Sequence, residues 1–208
     1  GVAAAVARLG GHLHAVHRDV PHTRDVVMLD PGGERTIVVV GEPLHPRAGD
    51  PLPWYLLAGC DAAYFTAQDP EALRAARGAR VLVVTARRRD AIVRAGVRAD
   101  VIVGSAADPR EAGVRGGYPV APDALVLTEG ERGGRIETAA GVTRFAAPPP
   151  PAVRASAYGA GDSFAGALTY LLAAGLPLSA ACERAGRHGA AVLAGPDPIS
   201  AQLPLSAP

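Results

Sequence analysis

Between residues 61 and 128 the chain alternates short, unbroken apolar runs with helix-forming segments, and this rhythm restricts the fold more than any other feature. Residues 61–66, 80–85, 100–103 and 124–128 read as strands, and 81–84 is Val-Leu-Val-Val with no polar break. Residues 70–77 and 88–95 read as helices stopped by Gly78 and Gly96. A strand with one wet face alternates apolar and polar side chains, whereas a strand that is apolar throughout is covered on both faces. Crossover helices supply that cover. The expectation is a three-layer α/β/α sandwich around a mainly parallel central sheet. Two further short strands fall at 134–138 and 142–146. The closing helices run from about 161 to 174, ended by Gly175, and from Ser179 as N-cap to about 194. At 208 residues the whole chain, 1–208, reads as one domain. The proline run 148–151 is a stiff connector, because too few residues follow it to fold separately.

The front of the chain is less regular. Residues 2–9 read as the end of a helix stopped by Gly10-Gly11, and a helix that opens at Gly1 without a cap is expected to have residues upstream. Alternation of His12, His14 and His17 with apolar residues reads as a short strand. Residues 25–30 and 35–40 flank Pro31-Gly32-Gly33-Glu34 and form a hairpin over about 25–40. Four prolines between 43 and 53 then mark a loop, with Trp54 as a packing anchor.

Composition narrows the partners. Hydrophobic residues make up 49% of the chain, enough for one substantial core. Aromatics make up only 4%, which leaves little surface for stacking bases, and a net charge of +1 gives no electrostatic footprint for nucleic acid or an anionic membrane. No apolar run approaches the roughly 18 residues of a membrane span. Cys60 and Cys182 lack metal-ligand spacing and read as buried thiols, so a cytoplasmic location is expected.

The segment that carries chemistry is Tyr158-Gly159-Ala160-Gly161-Asp162-Ser163-Phe164, leading directly into an apolar-periodic helix. Glycines let a backbone turn tightly and bring its N–H groups to a ligand, and a helix N-terminus adds unpaired donors and a favourable dipole. A carboxylate inside such an anion site repels the ligand unless its work is to take a proton from an attacking hydroxyl. On these grounds alone, a plain glycine-rich turn with Asp162 favouring the helix start is an equal alternative.

The ten residues from Gly159 to Leu168 resemble the second signature of ribokinase-like, PfkB-type carbohydrate kinases, and a Pro-rich strand exit before them and two Ala-rich helices after them agree. The resemblance implies a ribokinase-like fold with the hairpin as a lid over a sugar or nucleoside acceptor, ATP as donor and Mg2+ as cofactor. It assigns Asp162 as catalytic base and Gly159, Ala160 and Gly161 as anion hole. Thr128-Glu129-Gly130-Glu131-Arg132-Gly133 is similar to the family's Thr-x-Gly-x-x-Gly nucleotide turn, which places Thr128, Gly130 and Gly133 against the nucleotide, with Gly195 closing its adenine side. The exposed lid face implies a homodimer. The sequence also departs from the family. Where the family has Asn-x-x-Glu to help hold magnesium, this chain reads Ser105-Ala-Ala-Asp108, leaving Asp108 as the carboxylate. Ser156-Ala157 replaces the Asp-Thr associated with a monovalent cation, so potassium activation is not expected. The family's first strand with a sugar-binding Asp and its Gly-Gly motif are not found, so the chain reads as a domain without its N-terminal strands. These departures keep a second reading open, a catalytically degenerate relative that binds nucleotide or sugar and regulates. A dinucleotide-binding oxidoreductase would need Gly-x-Gly-x-x-Gly after an early strand, which is missing, as are a P-loop and a Gly-x-Ser-x-Gly elbow. The histidines 12, 14 and 17 read as surface or lid residues, Arg87-Arg88-Arg89 as a solvated helix start, and Arg35 as a lid residue that reaches substrate.

Overall fold

The computed structural model describes residues 2–29, 35–152, 158–197 and 199–205. Helix α1 (Val2–Arg8) ends as expected, with the Gly10 and Gly11 amides bonded back to Ala7 and Val6. Strands β1 (Arg24–Leu29) and β2 (Arg35–Val40) pair antiparallel, Arg24 opposite Val40 and Leu29 opposite Arg35. The turn residues 30–34 lie outside the described residues. Val26, Val27, Met28, Ile37, Val38 and Val39 are exposed, so both faces of this two-stranded ribbon present apolar side chains to solvent.

The central sheet has six strands in sequence order: β3 (Ala62–Phe65), β4 (Val81–Thr85), β5 (Val101–Ser105), β6 (Ala124–Thr128), β7 (Gly134–Thr138) and β8 (Gly141–Phe145). The first four are parallel, and β7 and β8 return antiparallel through tight turns. Side chains of β4 show why the apolar run has no polar break. Leu82 and Val84 face one core, shared with Leu73 and Ala76 of α2 (Pro70–Ala76) and Ile92 of α3 (Arg89–Ala95). Val83 faces the other, shared with Phe164, Leu168 and Leu171 of α4 (Ala160–Ala173) and Cys182 of α5 (Leu178–Val192). The period of two sends neighbouring residues to opposite faces, and both faces are covered. Full burial of each Leu in these cores contributes about 1.5–3 kcal/mol. This is the expected three-layer α/β/α arrangement with a small antiparallel hairpin beside it.

Local chemistry sets the helix ends. Asp69 caps α2 by accepting from the Glu71 and Ala72 amides at 2.8 and 3.3 Å, with Pro70 at the first helical position. Gly96 closes α3 in the left-handed region at φ 64°. Three expectations need correction. Residues 12–17 form no strand, because alternation needs a neighbouring strand and none lies beside this exposed segment among the described residues. Instead Arg18 ties the segment down, donating to both oxygens of Asp50. Helix α5 starts at Leu178 after an extended Pro177, so Ser179 lies in the first turn and is not the N-cap. The loop marked by the prolines is as expected, and a 3-10 segment, Trp54–Gly59, follows it. Cys182 is buried, and burial pushes its thiol up to about 12, but Cys60 is only partly buried. Trp54 packs against the α2/α3 core as expected.

Candidate active site

In an open parallel sheet ligands bind beyond the carboxyl ends of the strands. In this molecule those ends gather Thr66 after β3, Thr85 of β4, Ser105 of β5 and Thr128 of β6. The N-terminus of α4 comes to the same rim. Gly159 precedes that helix at φ 86°, a left-handed conformation that a side chain would strain, and its carbonyl accepts the Ser163 amide at 2.9 Å. The amides of the first turn have no acceptor within the helix. A side chain built on Gly161 would meet nothing within 4 Å, so the space over this turn is open. Asp162 is exposed in it.

Tyr64 of β3 reports where Asp162 points. Its phenol is pushed up to about 12, chiefly by burial and then by the negative charge of Asp162, while Thr85 hydrogen-bonds it. The same tyrosine senses Glu111 and Arg88. Asp162 is therefore near Tyr64, at the end of α4 that meets β3 and β4. Helix α5 supports the arrangement from behind, since a methyl on Gly189 would come within 3.0 Å of the Ala160 carbonyl.

The turn after β6 forms the second part of the site. Thr128 donates to the Gly104 carbonyl at 3.3 Å, Gly130 and Gly133 take positive φ of 61° and 81°, and the Glu129 amide bonds the Gly133 carbonyl at 2.7 Å. Gly133 tolerates no side chain, because a Cβ there would lie 2.0 Å from the Phe145 carbonyl. The Phe145 ring stacks on Phe164 at 5.8 Å between centroids, which joins the turn to the first turn of α4 through one aromatic pair. Glu129, 9% exposed, is gripped by Arg144 and by Arg135 at 3.1 Å, and these two arginines, Arg144 first, hold its carboxyl below the usual range. A depressed carboxylate stabilises the fold at pH above its unfolded value, about 4.3, and that contribution is lost as pH falls through the lower folded value. Nucleotide affinity is expected to fall in the same acid window. Arg144→Ala will move the Glu129 titration upward, as a side-chain NMR titration will show.

The third part lies after β5. Asp108 is held down to about 2, foremost by hydrogen bonds from Arg110, with Arg87 adding its charge. Glu111 accepts the Ser105 amide at 2.9 Å and pairs with Arg87 at 2.5 Å. Arg87 thus spans two carboxylates at the strand end. Sequence reasoning singled out Asp108 and missed Glu111. Yet Asp108-Pro-Arg-Glu111 repeats the spacing of Asn-x-x-Glu with a carboxylate at each end, and that spacing was the signal available. Among the described residues no three His, Cys, Asp or Glu side chains converge as a metal cluster. Two hard oxygen ligands do fit a magnesium ion that takes its remaining ligands from phosphate and water. The arginine run does lie at a helix start, with Arg87 and Arg89 exposed, but each member also has a partner: Arg87 pairs with Asp108 and Glu111, Arg88 donates to the Thr66 carbonyl, and Arg89 lies 4.6 Å over the Tyr118 ring.

Gly195 is buried just after α5, and Gln202 beyond it reaches Ser163 at 3.3 Å, so the C-terminal tail folds back to the α4 N-terminus. The structure thus brings Asp162, the α4 turn, Thr128, Gly130, Gly133 and Asp108 to one rim, with Gly195 at its border. The histidines 12, 14 and 17 lie exposed on the front segment. Ser156 and Ala157 lie outside the described residues, as does the side chain of Arg35.

A helix start with unpaired amides and a carboxylate in its first turn, set at the ends of parallel strands, is the ligand-facing feature of this α/β fold. Residues 99–204, just over half of the chain, match the pfkB family of carbohydrate kinases, and the chain belongs to that family. Among solved structures it is similar to ribokinase from Thermotoga maritima, with a TM-score of 0.74, 14% identity, and coverage of 94% of this chain and 71% of that one. It is also similar to adenosine kinase from Sinorhizobium meliloti (0.73, 18% identity, 95% and 70%) and to a probable sugar kinase from Rhizobium etli (0.71, 16% identity, 94% and 68%). At these identities the likeness establishes the fold. The chain spans about two thirds of the length of these structures. No protein of curated function matches it in sequence.

Proposed function

We propose that this chain transfers the γ-phosphoryl group of ATP to a hydroxyl of a sugar-like or nucleoside acceptor. The observation that carries the reading is the position of Asp162, exposed in the first turn of α4 among donors suited to an anion and near Tyr64, at the end of α4 that meets β3 and β4. Phosphoryl transfer is mainly a matter of positioning and charge stabilisation. Asp162 accepts the proton of the attacking hydroxyl. The amides of the Gly159–Gly161 turn donate to the oxygens of the moving phosphoryl group. Thr128, Gly130 and Gly133 line the nucleotide, and Gly195 closes its far side. Asp108 and Glu111 would hold a Mg2+ ion, whose chemistry when bound is to neutralise charge on the β- and γ-phosphates. Acceptor-dependent ADP formation from MgATP tests the reading, run beside Asp162→Asn.

One observation favours a second reading, a regulatory relative that binds nucleotide or sugar without turnover: Arg87 and Arg110 already neutralise Asp108. MgATP binding without ADP formation for any acceptor would select it.

The hairpin is proposed as the lid and as the contact between two copies. Its exposed valines on both faces support this, since an uncovered apolar ribbon pairs with another. Val26 and Val38 are register partners. The double change Val26→Lys, Val38→Lys is expected to convert a dimer to a monomer by analytical ultracentrifugation, and an unchanged mass would exclude the hairpin.

A further inference from the structure

The three consecutive arginines after β4 have different fates. Arg87 is taken up by Asp108 and Glu111, and Arg89 by the Tyr118 ring and the Gly117 carbonyl. Arg88 is half-buried and, among the described residues, forms no ion pair. Its Nε donates to the carbonyl of Thr66, which leaves both terminal nitrogens without a carboxylate. The charged groups around it make this worse rather than better: Arg87 repels it, and His45 is itself held toward its neutral form by burial and by the Arg88 charge. A guanidinium that is partly desolvated and has no carboxylate partner among the described residues is suited to an anion that those residues do not supply.

Its place on the rim decides which anion. The carbonyl that anchors Arg88 follows β3, at the edge of the sheet, while the turn assigned to the nucleotide follows β6. With strands about 4.8 Å apart, three strand spacings put these ends about 14 Å apart. Tyr64 of β3 senses both Asp162 and Arg88, so both stand toward the β3 end of the rim, away from the turn assigned to the nucleotide. The acceptor, whose hydroxyl meets Asp162, is therefore the ligand within reach of Arg88. The same side has a cavity of about 230 Å³ lined by His45, Trp54, Tyr64, Phe65 and Thr66.

We propose that Arg88 binds an anionic substituent of the acceptor, so that the substrate class is a sugar acid or a sugar phosphate rather than a neutral sugar or nucleoside. This rests on the kinase reading of the site for the word acceptor, but the binding claim can be measured without turnover. A terminal guanidinium edge presents two parallel N–H donors, which match the two oxygens of a carboxylate or phosphate.

The experiment uses the protein as its gene encodes it. Trp54 lines the cavity, and occupancy is read by isothermal titration calorimetry. Equilibrium binding is measured for gluconate against glucose, and for fructose 6-phosphate against fructose, in the wild type, in Arg88→Met and in Arg88→Lys. At least one anionic ligand is expected to bind about tenfold or more tighter than its neutral counterpart. The gluconate and phosphate arms show which anion it is. Arg88→Met removes the preference and Arg88→Lys restores part of it. In steady-state assays the substitution raises the acceptor KM and leaves the KM for MgATP unchanged. Neutral ligands binding as well as anionic ones would overturn the proposal, as would a preference that survives in a folded Arg88→Met protein. A rise confined to the KM for MgATP would also overturn it, by assigning Arg88 to the nucleotide. Anion-selective binding with no phosphoryl transfer to any acceptor would support the role of Arg88 and reject the kinase reading.

Discussion

Asp162→Asn is expected to lower kcat by roughly 10²- to 10⁴-fold, the range attributable to a positioned general base. The substitution is nearly isosteric. Asn keeps a polar side chain in the first turn of α4 and is well tolerated near helix starts, so loss of the charge at the dipole is expected to cost at most about 1 kcal/mol. The amide cannot accept the proton of an attacking hydroxyl. MgATP binding, measured by calorimetry, is expected to remain or to tighten slightly, because a carboxylate facing the phosphates has been removed. A kcat within a few fold of the wild type would show that the proton leaves by another route.

Phe164→Ala is expected to produce the largest loss of stability among single substitutions near the site, about 3–5 kcal/mol. Phe164 and Phe145 are each 4% exposed and stack with an interplanar angle of 16°. A domain of this kind has a total stability of about 5–15 kcal/mol, so the loss is a large share of it. The effect should also reach the nucleotide. The Phe145 carbonyl lies against Gly133, and the pair of rings is what holds the turn after β6 to the start of α4. A urea titration should show a lower midpoint with an unchanged slope, together with a weaker MgATP complex. A shift below about 1 kcal/mol would mean that the rings merely fill space.

What was legible in the sequence was local. The Gly159-Ala160-Gly161-Asp162 turn, the hairpin and the strands 81–85 and 124–128 each carry their signal within a few consecutive residues, and the structure places them as read. The strand expected at 12–17 failed because alternation states only what a strand would bury, and no neighbouring strand is there to pair with it. Ser179 failed as a cap because Pro177 is already extended and preset to begin the helix two residues earlier. The arginine run was legible only in part, for a different reason. Whether Arg87, Arg88 and Arg89 are solvated depends on what β3 and the 105–118 loop bring opposite them, and that partnering is set by the order of strands in the sheet. Glu111 lies six residues beyond Ser105, the last residue of β5, and belongs to the site because the chain turns back and returns it to the Ser105 amide.

The most direct test of the central claim is acceptor-dependent ADP formation from MgATP, measured on the full-length protein across neutral sugars, nucleosides, sugar acids and sugar phosphates. The account predicts stoichiometric phosphorylation of at least one acceptor, dependent on Asp162. Bound MgATP with no ADP formed above the acceptor-free rate for any member of the set would contradict it and leave a nucleotide-binding relative without transferase activity.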